Sequence, residues 1–532
     1  MSGKNEFDVI VVGAGQNGLS TAAYLAKAGL NVVVLEDQKK IGGSVQTAEI
    51  TAPGFKHDIA ANHIAFAMNN PAIAADELEL KSKYGLELIN ASDPSITTLY
   101  SDGTASHNYI SIDKVCDEIA EWSQQDADAY RKFVDYLVPM LPLMGAGMFN
   151  APPRMGALFN QLDQTPLGQE FMKLQFMTAW ELAHQWFTHP KTILHMINFP
   201  TEAMINPEEG GSAFYLLALV PTLHYPTSVP TFGKGGVQNL TNALERAIVG
   251  KGGTILTDHE VVKITTKGGR ATGVVCANGE AFTARKAVVT AVDPRLSLLK
   301  WLDTPLSAEL QGKIRRISNP AFSGIMSHVA LDEDPIFKWG GPEAATSELI
   351  EILPSSIEDY RNYFDQLRHG KIPKPIRIIN LLHSRVDPSR APEGKATLYH
   401  WQYVPYFLAD GGPTKWDSIK EEVSNRSLEY FFSHTTNLSM KSILGREIYS
   451  PLDYARNNKN NVNGQILGPG AFLYQNMAFR PIPELGQYRT PVKGLYGAGQ
   501  SYHPGGGITL GGRATAQIVM GDLGIDFDDV VS

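Results

Sequence analysis

The amino-acid sequence reads as an α/β fold, built on a parallel sheet and assembled from pieces far apart along the chain. Three observations carry that reading. The apolar run Val9-Ile10-Val11-Val12 leads directly into Gly13-Ala14-Gly15-Gln16-Asn17-Gly18, and residues 31–36 repeat a β-branched strand that ends in an acid, Glu36. Near the other end, residues 494–507 run again from an apolar segment into glycines, through Gly497-Ala498-Gly499-Gln500 to Gly505-Gly506-Gly507. A chain of 532 residues also exceeds one ordinary core, so two or more domains are expected.

Each element follows from its local pattern. Residues 8–12 are almost wholly apolar, as in a strand covered on both faces. Residues 19–28 place Ala22, Leu25 and Ala26 at helical spacing, and Gly29 follows as the helix stop. With the strand at 31–36, this is a βαβ unit of the Rossmann type. From residue 91 the texture changes, and 130–223 is rich in Met, Phe, Trp and Pro, with helical periodicity over 170–187. That composition suits helices lining an apolar cavity and equally suits a packed helical core.

Residues 236–250 read as a helix ended by Gly252-Gly253. Short strands follow at 254–256, 261–266, 272–276 and 281–283, with hairpin signals at Gly268-Gly269 and Asn278-Gly279. A further strand is expected at 287–292, another at 398–407, and a helix at 416–432. The strand at 494–496 and a helix over 510–523 return to the style of the N-terminus. The expected organisation is a Rossmann-type domain, parallel sheet with β-meander, made from residues 1–90, 230–300 and 485–532. An α+β substrate domain takes residues 91–229 (helical and apolar) and 301–484.

Composition removes several function classes. Hydrophobic content of 43% and charged content of 19% belong to a folded chain. A net charge of −9 without a basic run argues against general nucleic-acid binding. Cys116 and Cys276 are too few for a disulfide framework and read as small core residues of a reducing compartment. The six residues before the first strand are too short and polar for a secretion signal, and the apolar run 213–220 falls short of the roughly 20 residues a membrane span needs. The expectation is a cytoplasmic protein, with contact at a membrane surface left open. Oligomeric state is not legible.

The motifs then narrow the cofactor. In Gly13-x-Gly15-x-x-Gly18, the first glycine permits the turn, the second lets a pyrophosphate approach the backbone, and the third allows close helix–strand packing. Ala14 lies inside that turn, and Glu36 is placed to accept hydrogen bonds from an adenosine ribose. The pair Gly42-Gly43, followed by Ser44, suggests a second close backbone approach to the same ligand, which favours FAD over NAD. The glycines at 505–507 remove side chains where a planar ring must lie against backbone, and a helix starting near Thr509 would aim its positive end at that ring.

Taken together with Gly233-Lys234-Gly235-Gly236, Val261-x-x-Ile264, Tyr403-Val404-Pro405-Tyr406 with Trp416, Ser450-Pro451-Leu452-Asp453 and Phe479-Arg480-Pro481, these segments run almost the full chain. In that order the chain resembles the FAD-dependent phytoene desaturase-related family, in its pyridine nucleotide-disulfide oxidoreductase domain-containing branch, within the amine-oxidase-like flavoproteins. The resemblance implies that Gly13, Gly15, Gly18 and Glu36 hold the ADP part and that Gly42, Gly43 and Ser44 lie along the pyrophosphate-to-flavin stretch. It implies adenine pairing at the Val261 backbone, ribityl-phosphate contacts at Gly499 and Gln500, and isoalloxazine contacts at Gly506, Gly507 and Ile508. Many relatives carry an acid where this chain has Gln500. The segment 91–230 carries no family motif, so the resemblance speaks to fold and cofactor more than to substrate.

Catalytic candidates are His503 beside the glycine platform, His63 and Asp58 after the second strand together with His57, and the aromatic residues Tyr406 and Tyr474. Each has an ordinary structural alternative as a loop anchor or packing residue. Glu181, His184 and His189 recur near helical spacing without a second ligand cluster, and no metal is expected. The leading expectation is an FAD-dependent oxidoreductase that removes a hydride from an apolar, terpenoid-like substrate and passes electrons to oxygen, a quinone or another carrier. A redox-neutral isomerase or saturase, a flavin amine oxidase whose aromatic cage would use Tyr403, Tyr406 and Tyr474, and a non-catalytic FAD-bound interaction protein remain as alternatives.

Overall fold

Buried β-branched segments build the first sheet of the computed structural model, which describes residues 5–225 and 231–532. The domain boundary expected at 229/230 lies outside the described residues. Glu6–Val12 pairs in parallel with Val32–Leu35 on one side and with Ala281–Thr290 on the other. Thr254–Leu256 extends the row past Val32–Leu35, and Leu495–Gly497 extends it past Ala281–Thr290. Val9, Ile10, Val32, Val33 and Val34 expose no surface, which is why these strands lack alternation.

Helix Gln16–Lys27 covers one face, packed against helices Gln238–Gly250 and Gly512–Asp522. Its stop is the expected one: Gly29 takes φ +79°, a conformation glycine adopts without a Cβ penalty. The meander Val261–Lys267, Arg270–Cys276, Ala281–Thr290 turns tightly at Gly268 (φ +59°) and Gly269 (φ +75°).

The sequence separates strands at 281–283 and 287–292, whereas the chain forms one, Ala281–Thr290. Its first half alternates exposed and buried in the meander, and its last four residues are buried in the centre of the parallel sheet. The texture changes while the backbone continues.

A second, seven-stranded sheet joins segments from both sides of that meander. Its order is Ile443–Tyr449, Ser323–Leu331, Ala396–Val404, Ile378–Leu381, Leu349–Leu353, Ile96–Tyr100, Ala105–Asn108. The pairing is antiparallel except between Leu349–Leu353 and Ile96–Tyr100. The strand expected at 398–407 is Ala396–Val404 and ends before Pro405, which has no N–H to give a ladder. Helix Trp416–Phe432 matches its expected span.

Helices from the Met- and aromatic-rich segment share a core with this sheet, through Tyr130, Phe133, Leu194 and Trp401 among others. The helical stretch 170–187 is two helices, Pro166–Phe176 and Ala179–Trp186. The break is built by Thr178, whose hydroxyl accepts the Glu181 N–H while Glu181 returns to the Thr178 N–H. Cys116 and Cys276 are buried and unlinked. Among the described residues no helix is long and apolar enough to cross a membrane.

Candidate functional site

The first glycine turn divides its labour much as its spacing requires. Gly13 adopts φ +100°, and a Cβ built on Gly18 would sit 2.0 Å from the Gly13 carbonyl oxygen, so that contact tolerates hydrogen alone. A Cβ on Gly15 would meet nothing within 4 Å, because that side of the turn faces open space. Gly42 donates to the Ala14 carbonyl at 2.8 Å, and a Cβ on Gly43 would approach the Gly15 Cα to 3.3 Å. The two glycine pairs therefore stack backbone against backbone.

Glu36 does more than wait for a ribose. One carboxylate oxygen accepts the Ala14 N–H at 2.6 Å and the other the Gln38 N–H at 3.0 Å, so the acid also braces the glycine turn. Burial pushes this carboxyl up to about 7, and the neighbouring Asp37 adds to the rise.

The C-terminal segment is tied to the first by a residue whose part the glycine spacing does not reveal. Gln16, the first residue of its helix, donates to the Gly507 carbonyl at 3.1 Å and accepts the Leu510 N–H at 2.8 Å. The three adjacent glycines meet different neighbours. A Cβ on Gly505 would press on the Arg480 guanidinium at 3.2 Å, and one on Gly506 would lie 2.1 Å from the Leu467 carbonyl oxygen. Gly507 alone opens outward, with φ +84° and a Cβ contact no closer than 3.8 Å. The following helix starts at Gly512, later than residue 510, because Leu510 at φ +52° is still in the turn. Arg480, 1% exposed, donates to the carbonyls of Pro469, Gly470 and Gln500 and thereby holds the platform from behind.

Both segments open on one cavity of about 1650 Å³. That exceeds the roughly 300–1,000 Å³ of an ordinary ligand pocket, as a cofactor and a substrate together require. Every residue expected at the cofactor except Ala14 lies on its wall, and Ala14 sits behind, bonded to Glu36. The far wall belongs to the second sheet. Tyr399, Trp401 and Tyr403 alternate inward from Ala396–Val404, while His400 points away to Asn380 and Ser427. Tyr399 and Trp401 stack with centroids 6.3 Å apart and planes 7° apart.

The catalytic candidates separate. His503 and His63 reach the cavity wall. His503 Nε2 lies 2.7 Å from the Gly147 carbonyl, and burial lowers its pKa to about 4; burial does the same to His63, also to about 4. Both rings are neutral near pH 7.

Asp58 and His57 stand away from the cavity. Asp58 accepts the Thr47 hydroxyl and the Val237 N–H and pairs with Arg390 at 3.0 Å, while His57 meets the Thr51 hydroxyl. Tyr406 packs beside Phe407 away from the cavity wall, and Tyr474 is 63% exposed at the surface. Sequence alone could not separate these from inward-facing aromatics, because Tyr406 falls just past the end of strand Ala396–Val404 and Tyr474 lies in the short turn Leu473–Gln475. Glu181 caps its helix, His184 meets the Trp180 carbonyl, and His189 accepts the Lys191 N–H.

Comparison with known proteins places this geometry. The model of the family "Flavin containing amine oxidoreductase" matches residues 18–362. The chain belongs to this family. Over 98% of its length it is 30% identical to rat pyridine nucleotide-disulfide oxidoreductase domain-containing protein 2, of which 94% is covered. It is 26% identical to a limonene dehydrogenase subunit of Castellaniella defragrans, with 99% and 96% of the two chains covered. Among solved structures, an oxidoreductase from Methanosarcina mazei shares the fold with a TM-score of 0.61 at 17% identity, covering 97% of this chain and 99% of that one. The protein is an FAD-dependent oxidoreductase of the phytoene desaturase-like flavoproteins.

Proposed function

We propose that this flavoprotein takes a hydride from an allylic C–H bond of an apolar, terpenoid-like substrate, and that the allylic cation left behind gives a desaturated product by losing a neighbouring proton to water or an oxidised one by adding water and losing a proton. Continuity of the cavity supports the reading: the aromatic wall of Tyr399, Trp401 and Tyr403 and the open faces of Gly15 and Gly507 line the same space. The likeness to a limonene dehydrogenase agrees with a terpenoid in it. FAD, when bound, supplies the two-electron acceptor for the hydride.

In this reading Gly13, Gly15 and Gly18 take the ADP pyrophosphate at the N–H-rich start of helix Gln16–Lys27. Glu36 keeps lone pairs for the ribose hydroxyls, and Gly42, Gly43 and Ser44 follow the chain toward the ring. Val261 offers backbone to adenine, Gly499 and Gln500 face the ribityl-phosphate, and Gly506, Gly507 and Ile508 back the ring. The aromatic wall excludes water and offers π faces to the positive charge that develops at an allylic carbon losing hydride. His503 and His63, both held neutral, place no fixed cation beside that carbon.

Anaerobic mixing of the yellow protein with limonene and, separately, with a primary amine tests the assignment. Loss of the oxidised flavin band with limonene alone is expected. Bleaching by the amine alone would make it an amine oxidase, and bleaching by neither a redox-neutral isomerase or an idle scaffold. Adding oxygen or a quinone after reduction then identifies the carrier.

A further inference from the structure

A buried polar island interrupts the apolar end of the cavity. Glu351 stands on Leu349–Leu353, and Glu202 reaches it from the short helical turn Phe199–Ala203. Both line the cavity, and the register Glu351 to Ile379 to Trp401 sets Glu351 two strands from Trp401 on the same wall. The Glu351 carboxylate is fixed by Asn198 Nδ2 at 2.7 Å and the Thr98 hydroxyl at 3.3 Å. Glu202 receives Arg377 Nη2 at 3.4 Å, and the same nitrogen lies 3.8 Å from Glu351, so one guanidinium draws the two acids together.

Two carboxyl groups gathered on one guanidinium oppose each other's charge, because like charges at close range raise the cost of ionising the second. Burial, with Glu351 beside it, pushes Glu202 up to about 7. Arg377 is 1% exposed, lies 4.2 Å from the Tyr403 ring centre, and brings Nη2 to 3.8 Å from Glu351. With Glu202 drawn toward its neutral form and a guanidinium between the acids, the island carries little net charge.

One feature points to a ligand. Glu202 leaves 36% of its side-chain surface open, and the space it opens on is the cavity. A buried ion cluster facing apolar walls is a poor source of stability, so its presence calls for another use. The chemistry favours an alcohol. Its oxygen accepts from Glu202 when that carboxyl holds its proton, and its O–H donates to a carboxyl oxygen of the pair. An ammonium would find the negative charge already matched by Arg377, and a carboxylate would meet two acids.

We propose that Glu202 and Glu351, backed by Arg377, form a subsite for a hydroxyl group on an otherwise apolar substrate. This rests on reading the cavity as a terpenoid site and narrows the class to oxygenated terpenoids. The test is anaerobic calorimetric titration of the FAD-loaded protein with limonene and with perillyl alcohol, the same skeleton carrying one hydroxyl. The alcohol is expected to bind about ten-fold tighter or more. Glu202→Leu should bring the two affinities within about two-fold of each other, while Glu202→Gln, which keeps a donor and an acceptor, retains a several-fold preference.

Equal affinities in the natural protein, or a preference that survives Glu202→Leu, would overturn the subsite. If Glu202→Leu loses its flavin, Glu202→Ala replaces it with the same expectation, the two affinities coming within about two-fold, and a preference that survives there overturns the subsite. Flavin reduction is read separately. Alcohol preference without reduction by either terpenoid leaves the subsite standing and removes the dehydrogenase reading; reduction by limonene with no preference does the reverse.

Discussion

At the scale of single residues, the glycines make opposite demands although they look alike in sequence. Gly15 has φ −70° and empty space where a Cβ would go, so Gly15→Val should leave the apoprotein folded, with a melting temperature within about 2 °C of the parent. The same substitution puts a branched side chain in the pyrophosphate path, and FAD retention should fall by about a hundred-fold or more. Gly18→Ala should do the reverse kind of damage, because its Cβ has 2.0 Å to the Gly13 oxygen and the backbone itself must shift. Comparing apoprotein melting with flavin retention in the two variants separates the roles. His503 makes a second contrast. With its pKa lowered to about 4 by burial, its charge change lies below the working range. The pH–rate profile should therefore carry no limb near pH 6.5 from this ring, and His503→Gln should keep the profile's shape between about pH 5.5 and 8. A limb that vanishes in the variant would restore the histidine as a proton carrier.

At the scale of elements, the join between helix Gln16–Lys27 and the 499–510 segment matters more than either motif alone. The Gln16 amide satisfies a carbonyl at Gly507 and an N–H at Leu510, a residue with no exposed surface. Gln16→Ala strips both bonds and leaves a buried donor without an acceptor, which costs about 2–4 kcal/mol. Urea titration of the apoprotein should show that loss, and stopped-flow release of FAD should be faster, since the two glycine segments would no longer be held in one arrangement. The strand Ala281–Thr290 makes the same point about packing. It serves the meander with one end and the parallel sheet with the other, and its neighbours change where the sequence turns from alternating to uniformly buried.

At the scale of the whole molecule, burial of acids sets how stability responds to pH. Glu348 has no exposed surface, and burial lifts it to about 7, against the hydrogen bonds it accepts from Ser92. A carboxyl raised on folding contributes stability that is fully present below its unfolded pKa near 4.5 and lost as pH rises through about 7. Stability should thus fall between about pH 4.5 and 7, and Glu348→Gln should flatten that slope by at most about 3 kcal/mol, measured by denaturant titration at both ends. The same scale shows how far sequence could reach. The Gly13–Gly18 spacing, Glu36 and the β-branched strands determine the parallel sheet and the glycine turn proposed to hold the nucleotide, because their physics is local: a tight turn, a helix start, a face covered on both sides. What surrounds the substrate is not local. Tyr403 faces the cavity and Tyr406 does not, Gln16 bridges residues some 490 positions away, and Glu202 and Glu351, 149 residues apart, are both drawn to Arg377. Strand phase and long-range packing decide those meetings, and they exist once the second sheet has closed over the first.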